Sequence, residues 1–439
     1  MDNTLAQLRV AATTLGCKVN QYETDCMLEL LKEQGAVVVP FSEQADVYIV
    51  NTCAVTNIAE RKSRQMLHRA RKFSPGACIV ACGCYVQEES EKLKEELQAD
   101  LLIGNNRKGD VAKLLADYFN RAEAGGEKTG RIEPVVALAD IGTGSAFENM
   151  SLSKPLEHVR AYIKVQDGCN AFCSYCLIPY VRGRERSREL GDVVREVEGF
   201  AGEGIKEVIL TGINVSAYKD SSENGLLELI KAVCEVDGIE RVRMSSVNPT
   251  VVTEEFVKHV SSLKNFCPHF HLSLQSACDS TLKRMNRHYT VEDYKRACGL
   301  LRKYYDDPAV TTDIIVGFPG ETDEDFEECY KNLEELSLYE MHVFRYSPRK
   351  GTNAALLKGQ VPDAVKDERS ARLLELTRKQ KADYEALFAE KAMEILVEEC
   401  VEEDGVCYMQ GHTANYILRR IPDTRENCEK YIGDFVVAF

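Results

Sequence analysis

Residues Gly168-Cys169-Asn170-Ala171-Phe172-Cys173-Ser174-Tyr175-Cys176 put three thiols on one short stretch at CxxxCxxC spacing. Three thiolates on a tight loop can hold three irons of a cubane 4Fe–4S cluster and leave the fourth iron open to a non-protein ligand. A closed zinc site takes four protein ligands, and the next Cys downstream is Cys234. The motif therefore reads as a cluster site, with zinc or purely structural thiols as the alternatives. A second set is dispersed. Cys17, Cys53 and Cys84 each follow a β-rich run, Leu8–Leu15, Val47–Asn51 and Cys78–Cys82. Ligands bind beyond the C-terminal ends of strands in open α/β sheets, so three such loops can converge on a second metal site. Cys78 and Cys82 are rival ligands. Cys84 is preferred because it lies past the strand, in the Gly83-Cys84 turn.

The elements that must position these thiols fall into three stretches. Residues 8–120 alternate short β-rich runs with amphipathic helical runs, which predicts an open, mostly parallel α/β sheet. The stretch Ala122–Lys154 has little pattern and reads partly as linker. Residues 155–350 repeat the βα unit six times, with strands expected at Ala161–Gln166, Val208–Thr211, Arg241–Ser246, Phe270–Gln275, Val310–Gly317 and Met341–Ser347. Six units suggest a partial TIM-like (β/α)6 barrel, whose active-site loops follow the strand C-termini. A long helix is expected over Asp363–Glu390. The strands expected at Glu394–Val401, Val406–Gly411, Tyr416–Ile421 and Phe435–Phe439, with no helix between them, make a small all-β module, for which a barrel is one form. The domain boundaries read from this are 1–145, 155–376 and 377–439.

Composition narrows the class. The chain has 439 residues, 55 Lys+Arg against 70 Asp+Glu, a net charge of −15 and 44% hydrophobic residues. That excludes a disordered, collagen-like or low-complexity chain. No stretch approaches the roughly 18 apolar residues of a membrane helix. The N-terminus lacks a basic and then apolar leader pattern. The expectation is a cytoplasmic protein with no membrane partner. In a reducing compartment, the odd count of 17 Cys argues for metal ligation or catalysis rather than disulfides. Cys234, Cys267, Cys298, Cys329, Cys400, Cys407 and Cys428 read as small buried hydrophobes.

CxxxCxxC just after the first strand of a βα series, with Tyr175 before the last Cys, resembles the radical S-adenosylmethionine superfamily. Over essentially its whole length the chain is similar to radical S-adenosylmethionine methylthiotransferases. The motifs that carry this are Leu15–Asn20, Asn51-Thr52-Cys53, Gly83–Gln87, Gly168–Cys176, Arg186-Ser187-Arg188, Leu210–Asn214, Leu272–Ser276 and Gly317–Thr322. Gly411–Ile417 resembles the signature of a TRAM domain. Ala277 and Val86 stand where Gly and Ala are common, and neither change removes a ligand. Gly16–Thr24, GCKVNQYET, looks like the branch acting on N6-threonylcarbamoyladenosine beside the tRNA anticodon. The isopentenyladenosine branch usually reads GCQMN there, and the ribosomal-protein branch GCPKN.

The resemblance implies two 4Fe–4S clusters and S-adenosylmethionine. Cys17, Cys53 and Cys84 would hold an auxiliary cluster carrying the sulfur to be delivered. One S-adenosylmethionine methylates that sulfur. A second is cleaved reductively at the cluster of Cys169, Cys173 and Cys176, and the resulting radical takes hydrogen from adenine C2. An aromatic C–H offers no acidic proton to a side-chain base, so the cofactors do the hard chemistry. A low-potential electron donor of the flavodoxin or ferredoxin type and a sulfur donor are implied partners, with tRNA as substrate. Tyr175, Thr211, Gly212, Ser245, Gln275 and Asp313 are expected to bind the cofactor, with ordinary loop capping as the alternative. Arg186, Arg188, Tyr416 and Arg419 are expected to contact RNA, as are the basic run Arg61–Lys72 and Arg182–Arg188 as a whole. The acidic runs Glu321–Glu328 and Glu402–Asp404 are expected to face solvent. A non-enzymatic RNA-binding or redox-sensing protein remains the competing class.

Overall fold

The computed structural model describes residues 4–96, 99–124, 133–142, 145–153 and 159–438. Parts of the expected linker at 122–154 and the end of the last expected strand, 435–439, lie outside them. Six parallel strands form the first sheet: β1 (Arg9–Thr14), β2 (Val37–Val39), β3 (Val47–Thr52), β4 (Cys78–Gly83), β5 (Leu101–Ile103) and β6 (Val135–Ala137), in the order β2-β1-β3-β4-β5-β6. The central strands β3 and β4 are buried along their whole length. This is why VYIVNT and CIVACG run apolar without alternating: helices cover both faces of a parallel sheet. Those helices are α1 (Lys18–Glu33), α2 (Asn57–Phe73), α3 (Cys84–Glu96) and α4 (Val111–Ala124). α2 starts where Thr56 caps it, its hydroxyl accepting from the Ala59 N–H. α3 begins at Cys84, directly after the Gly83 turn.

The second unit contains β7 (Arg160–Asp167), β8 (Arg186–Ser187), β9 (Glu207–Gly212), β10 (Arg241–Met244), β11 (His269–His271), β12 (Ala309–Val316) and β13 (Glu340–Arg345). The parallel ladders β7-β9-β10 and β11-β12-β13 are joined by a parallel bridge from Val247 to Leu272. No described pairing joins β13 back to β7, so the barrel is a partial one of six strands, with β8 antiparallel on the end of β7. Outer helices follow the strands, the last being Asp363–Ala386, which packs on β13.

The C-terminal sheet comprises β14 (Met393–Glu403), β15 (Val406–Thr413), β16 (Leu418–Asp423) and β17 (Phe435–Ala438), antiparallel in the order β16-β15-β14-β17. A short helix, Arg425–Lys430, stands between β16 and β17 where the sequence suggested none. Its signal is a Thr424 cap accepting from the Asn427 N–H, and it seats Cys428 in the small core beneath the sheet. The sheet is docked under the barrel by arginines of the barrel strands. Arg241 donates to the His412 and Glu394 carbonyls, and Arg243 to the Thr413 and Ala414 carbonyls, at 2.7–3.0 Å. Of the acidic runs, Glu321 is buried rather than exposed, because Arg369 pairs with it at 2.6 Å and the Gly317 N–H donates to it.

Candidate active site

Strand register brings the dispersed thiols together. Thr14, Asn51 and Cys82 are aligned across β1, β3 and β4, and Cys17, Cys53 and Cys84 follow two or three residues beyond them. Gly16 makes this approach possible: its φ is +101°, and a Cβ there would lie 2.8 Å from Cys53 Sγ. Cys17 and Cys84 each stand at the N-terminal end of a helix, and burial pushes the Cys17 thiol above its usual range. The Gly83 turn, φ +97°, separates the rivals from Cys84, which leaves β4 to open α3 in a different core. Cys78 and Cys82 point to the opposite face of β4, into the apolar core under α1 and α4. Asn105 Nδ2 donates both to Cys84 Sγ at 3.4 Å and to the Val181 carbonyl at 2.8 Å, tying the dispersed set to the segment after the CxxxCxxC loop.

That loop leaves β7 through Gly168, whose φ is +71°; a Cβ there would meet the Arg184 carbonyl oxygen at 1.9 Å. The Ala171 and Ile178 N–H groups donate to Cys169 and Cys176 Sγ at 3.4 and 3.5 Å. Arg287 Nη1 lies 3.3 Å from Cys173 Sγ. Burial pushes the Cys53 and Cys176 thiols up to about 12. Thiolate at those positions is therefore formed by metal binding itself.

The donor sets fit iron–sulfur clusters better than single ions. Tetrahedral zinc, with Zn–S near 2.3 Å, holds its sulfurs within about 3.8 Å of one another. Among the described residues, the metal-ligating side chains whose donor atoms close within 4.8 Å are His271, Asp313 and His342, not either thiol set. Each set offers three thiols on a wider footprint, which suits three corners of a polynuclear cluster.

Two chambers adjoin the thiols. The upper, about 410 Å³, is lined by Cys169, Cys173, Cys176, Tyr175, Gln275, Arg287 and Asp313. The lower, about 560 Å³, is lined by Cys17, Lys18, Thr211, Gly212, Ser245, His271, Asp313 and Tyr416. Asp313 and Ser246 line both, so the chambers share a wall. The six expected cofactor residues are thus split. Tyr175 and Gln275 stand with the CxxxCxxC thiols; Thr211, Gly212 and Ser245 stand with Cys17; Asp313 faces both.

A buried ion network fixes one thiol set against the other. Glu23 of α1 pairs with Lys108, with Lys164 at 2.6 Å and with Arg182 at 2.9 Å. Asp167 pairs with Lys164 at 2.8 Å and with Arg182 and Arg186 at 3.0 Å. Asn20 accepts from Arg182 at 2.6 Å while donating to the Leu15 and Thr52 carbonyls beside Cys17 and Cys53. Burial alone would raise the Glu23 carboxyl, but Arg182, Lys108 and Lys164 overcome it and hold it well below the usual range. Asp167 is held down in the same way by Lys164, Arg182 and Arg186. Lys108, Lys164, Arg182 and Arg186 thus converge on Glu23 and Asp167, and Arg182 also acts on Cys17. E23Q, which strands the cations, is expected to cost about 3–5 kcal/mol of stability at neutral pH. A carboxyl held down by folding stabilises fully above its unfolded value near 4.3, and that contribution is lost as pH falls towards the folded value. Denaturant midpoints of wild type and E23Q should therefore stay apart from pH 7 to about pH 5 and converge only as pH falls below about 4, towards the depressed folded value. A gap that stays constant on acidification below about pH 4 would contradict this assignment.

The same network corrects the RNA expectations. Arg186 and Arg188 are 9% and 3% exposed. Arg186 is bound to Asp167, and Arg188 to Glu196 and the Tyr22 hydroxyl. Neither is free to meet phosphate: Arg182, Arg186 and Arg188 are committed to buried carboxylates, and Arg184 lies half-buried over the Phe172 ring at 4.4 Å. Tyr416 is also committed. Its ring is stacked between His269 and His412, centroids 4.5 and 4.4 Å away, with Arg243 against it at 5.1 Å. It closes the floor of the lower chamber and does not offer a face to a base. Arg419 is half-buried and donates to the Phe388 carbonyl at 3.0 Å. On α2, Arg71 is buried against Asp100 and Arg64 is paired with Glu60, while Arg61, Lys62, Arg69 and Lys72 remain exposed. Sequence reasoning missed Arg287, Asn105 and the Glu23–Asp167 pair as positioning groups. Glu23 lies inside GCKVNQYET and Arg287 in Met285-Asn286-Arg287, so the only signal was a charged residue near a motif.

Known proteins agree with this geometry. Residues 163–333 match the model of the radical SAM superfamily, and residues 9–104 that of the uncharacterized protein family UPF0004. The chain is 36% identical over 429 residues to the threonylcarbamoyladenosine tRNA methylthiotransferase MtaB of Aquifex aeolicus, covering 98% of this chain and 99% of that one. It is 35% identical to the tRNA-2-methylthio-N(6)-dimethylallyladenosine synthase of Acetivibrio thermocellus, over 88% and 79% of the two chains. Among solved structures, the radical S-adenosylmethionine methyltransferase TsrM of Kitasatospora setae shares the fold with a TM-score of 0.58, at 17% identity over 80% of this chain and 77% of that one. The fold and the thiol loop define a radical S-adenosylmethionine enzyme. The chain belongs to the tRNA methylthiotransferase family of that superfamily, whose cofactors are 4Fe–4S clusters and S-adenosylmethionine.

Proposed function

We propose that the protein methylthiolates C2 of N6-threonylcarbamoyladenosine beside the anticodon of tRNA, consuming two S-adenosylmethionine molecules. The observation that carries this reading is the meeting of two thiol sets at two chambers with a common wall. Cys169, Cys173 and Cys176 would hold one 4Fe–4S cluster and Cys17, Cys53 and Cys84 the other. When bound, these groups supply reductive cleavage of S-adenosylmethionine and the sulfur that is inserted.

The chain's own residues bind and orient. Arg287 places a cation at Cys173, and Arg182 places one near Cys17, offsetting cluster charge. Tyr175 packs edge-on against Phe318, 6.3 Å between centroids, and forms a wall for the cofactor together with Gln275 and Asp313. The exposed cations of α2, Arg61, Lys62, Arg69 and Lys72, are the phosphate contacts we assign, because Arg182, Arg186 and Arg188 are buried and Arg184 packs on the Phe172 ring. We assign residues 1–145 to the auxiliary-cluster unit, 155–376 to the radical core and 377–439 to a TRAM-like unit. A sulfur donor and a low-potential electron donor complete the set of partners.

Similarity to a dimethylallyladenosine synthase favours a second reading, isopentenyladenosine as substrate. The test is a mass-spectrometric nucleoside profile of tRNA from a host lacking methylthiotransferases, with and without this chain. New methylthio-threonylcarbamoyladenosine is the expected result. Methylthio-isopentenyladenosine would overturn the substrate and keep the chemistry.

A further inference from the structure

The lower chamber carries a charge pattern that thiol ligation does not explain. Lys18 follows Cys17 in the first turn of α1 and lines this chamber. Among the described residues its ammonium has no ion pair, and its one recorded contact is the Tyr162 ring, 5.6 Å to the centroid. Its cationic neighbours are already committed, Arg160 to Glu398 at 3.0 Å and Arg243 to Glu207 at 2.7 Å. Two buried polar atoms on the same wall, Ser245 Oγ and His271 Nε2, also lack a hydrogen bond. His271 Nε2 lies 3.3 Å from Asp313 Oδ2 without an aligned bond, while its Nδ1 is held by Thr311 Oγ1 at 3.0 Å. The chamber's acids are accounted for: Glu340 is paired with Lys381 at 2.9 Å, and Asp313 is faced by His271 and His342.

Lys18 is exposed to the chamber, so its ammonium is free to meet a ligand, while the two buried polar atoms beside it cost free energy until a ligand supplies their partners. We propose that this chamber binds the amino-acid end of the adenosine's N6 substituent, with Lys18 Nζ pairing with its carboxylate. Ser245 Oγ and His271 Nε2 hydrogen-bond its neighbouring polar atoms. The proposal rests on the threonylcarbamoyl reading above and names the residues that make the choice. An isopentenyl group would leave all three protein atoms unpaired, and a site built for polar partners rejects the analogue that lacks them. A divalent cation on His271, Asp313 and His342 is the rival occupant, and the Lys18 charge in the same chamber opposes it.

The test compares KM and kcat of the cluster-loaded enzyme on two anticodon stem–loop RNAs, one bearing threonylcarbamoyladenosine and one its methyl ester. On wild type the ester is expected to raise KM about 30-fold or more, the usual loss when one partner of an enclosed charge pair is removed. K18Q is expected to raise KM for the acid by a similar factor and to lose the preference for acid over ester, because the two changes remove the same interaction. K18R should restore most of the preference. Iron per chain is measured for each variant, and the wild-type comparison decides the matter even if K18Q assembles its clusters poorly. Equal KM for acid and ester on wild type overturns the carboxylate site while leaving the substrate reading intact. Product on isopentenyl RNA alone overturns the substrate reading and the site with it. Stoichiometric divalent-metal binding that is lost in His342→Ala would give the chamber to a cation and also overturn the proposal.

Discussion

Cys176→Ser is expected to abolish both 5′-deoxyadenosine formation and methylthiolation, and Cys169→Ser and Cys173→Ser are expected to do the same. Cys176 lies beside the upper chamber with Tyr175, and Arg287 reaches the same loop at Cys173. Losing an outer partner of a metal site typically costs 10–100-fold, so loss of a ligand should exceed about 10³-fold. The check is single-turnover chromatography of S-adenosylmethionine products under dithionite, with iron counted per chain. Iron should fall by about four per chain, the content of one cubane. Deoxyadenosine formation surviving at wild-type rate in any of the three would remove this loop from the chemistry.

Cys84→Ser separates the two halves of the reaction. The variant should form 5′-deoxyadenosine within about tenfold of the wild-type rate, yet give no methylthio product, because sulfur delivery and radical generation sit on different cofactors. Cys17→Ser and Cys53→Ser should behave alike. Cys82→Ser should keep methylthiolation, since that thiol is wholly buried on the far face of β4, with its Sγ 3.7 Å from the Val50 carbonyl. Full methylthiolation by Cys84→Ser would break the assignment of the dispersed set.

Much of this was legible in the sequence. Both thiol sets, the three sheets and the six βα units follow from spacing and period, because a strand end in a parallel sheet has one place to send its next residues. Charge was misread. Four arginines in Arg182-Gly183-Arg184-Glu185-Arg186-Ser187-Arg188 look like a phosphate patch, yet Arg182 is fully buried and Arg186 and Arg188 are nearly so. Glu23, which holds Arg182, is 159 residues away along the chain, and no local pattern announces a pairing at that range; Asp167 and Glu196, 19 and 8 residues from Arg186 and Arg188, read only as a strand-end and a helix acid. Tyr416 failed for the same reason: the histidines that stack on it come from another sheet and from its own hairpin. Lys18 was legible only as part of a motif, and its lack of a partner is a property of the folded chamber alone.

The central claim is that the radical made beside Cys169, Cys173 and Cys176 acts on adenine C2 of RNA seated next to Cys17. Anticodon stem–loop RNA carrying deuterium at C2 of the threonylcarbamoyladenosine tests this directly, by mass spectrometry of the 5′-deoxyadenosine released. The account expects one deuterium in the deoxyadenosine that accompanies methylthio product. Methylthio product formed together with unlabelled deoxyadenosine would contradict it.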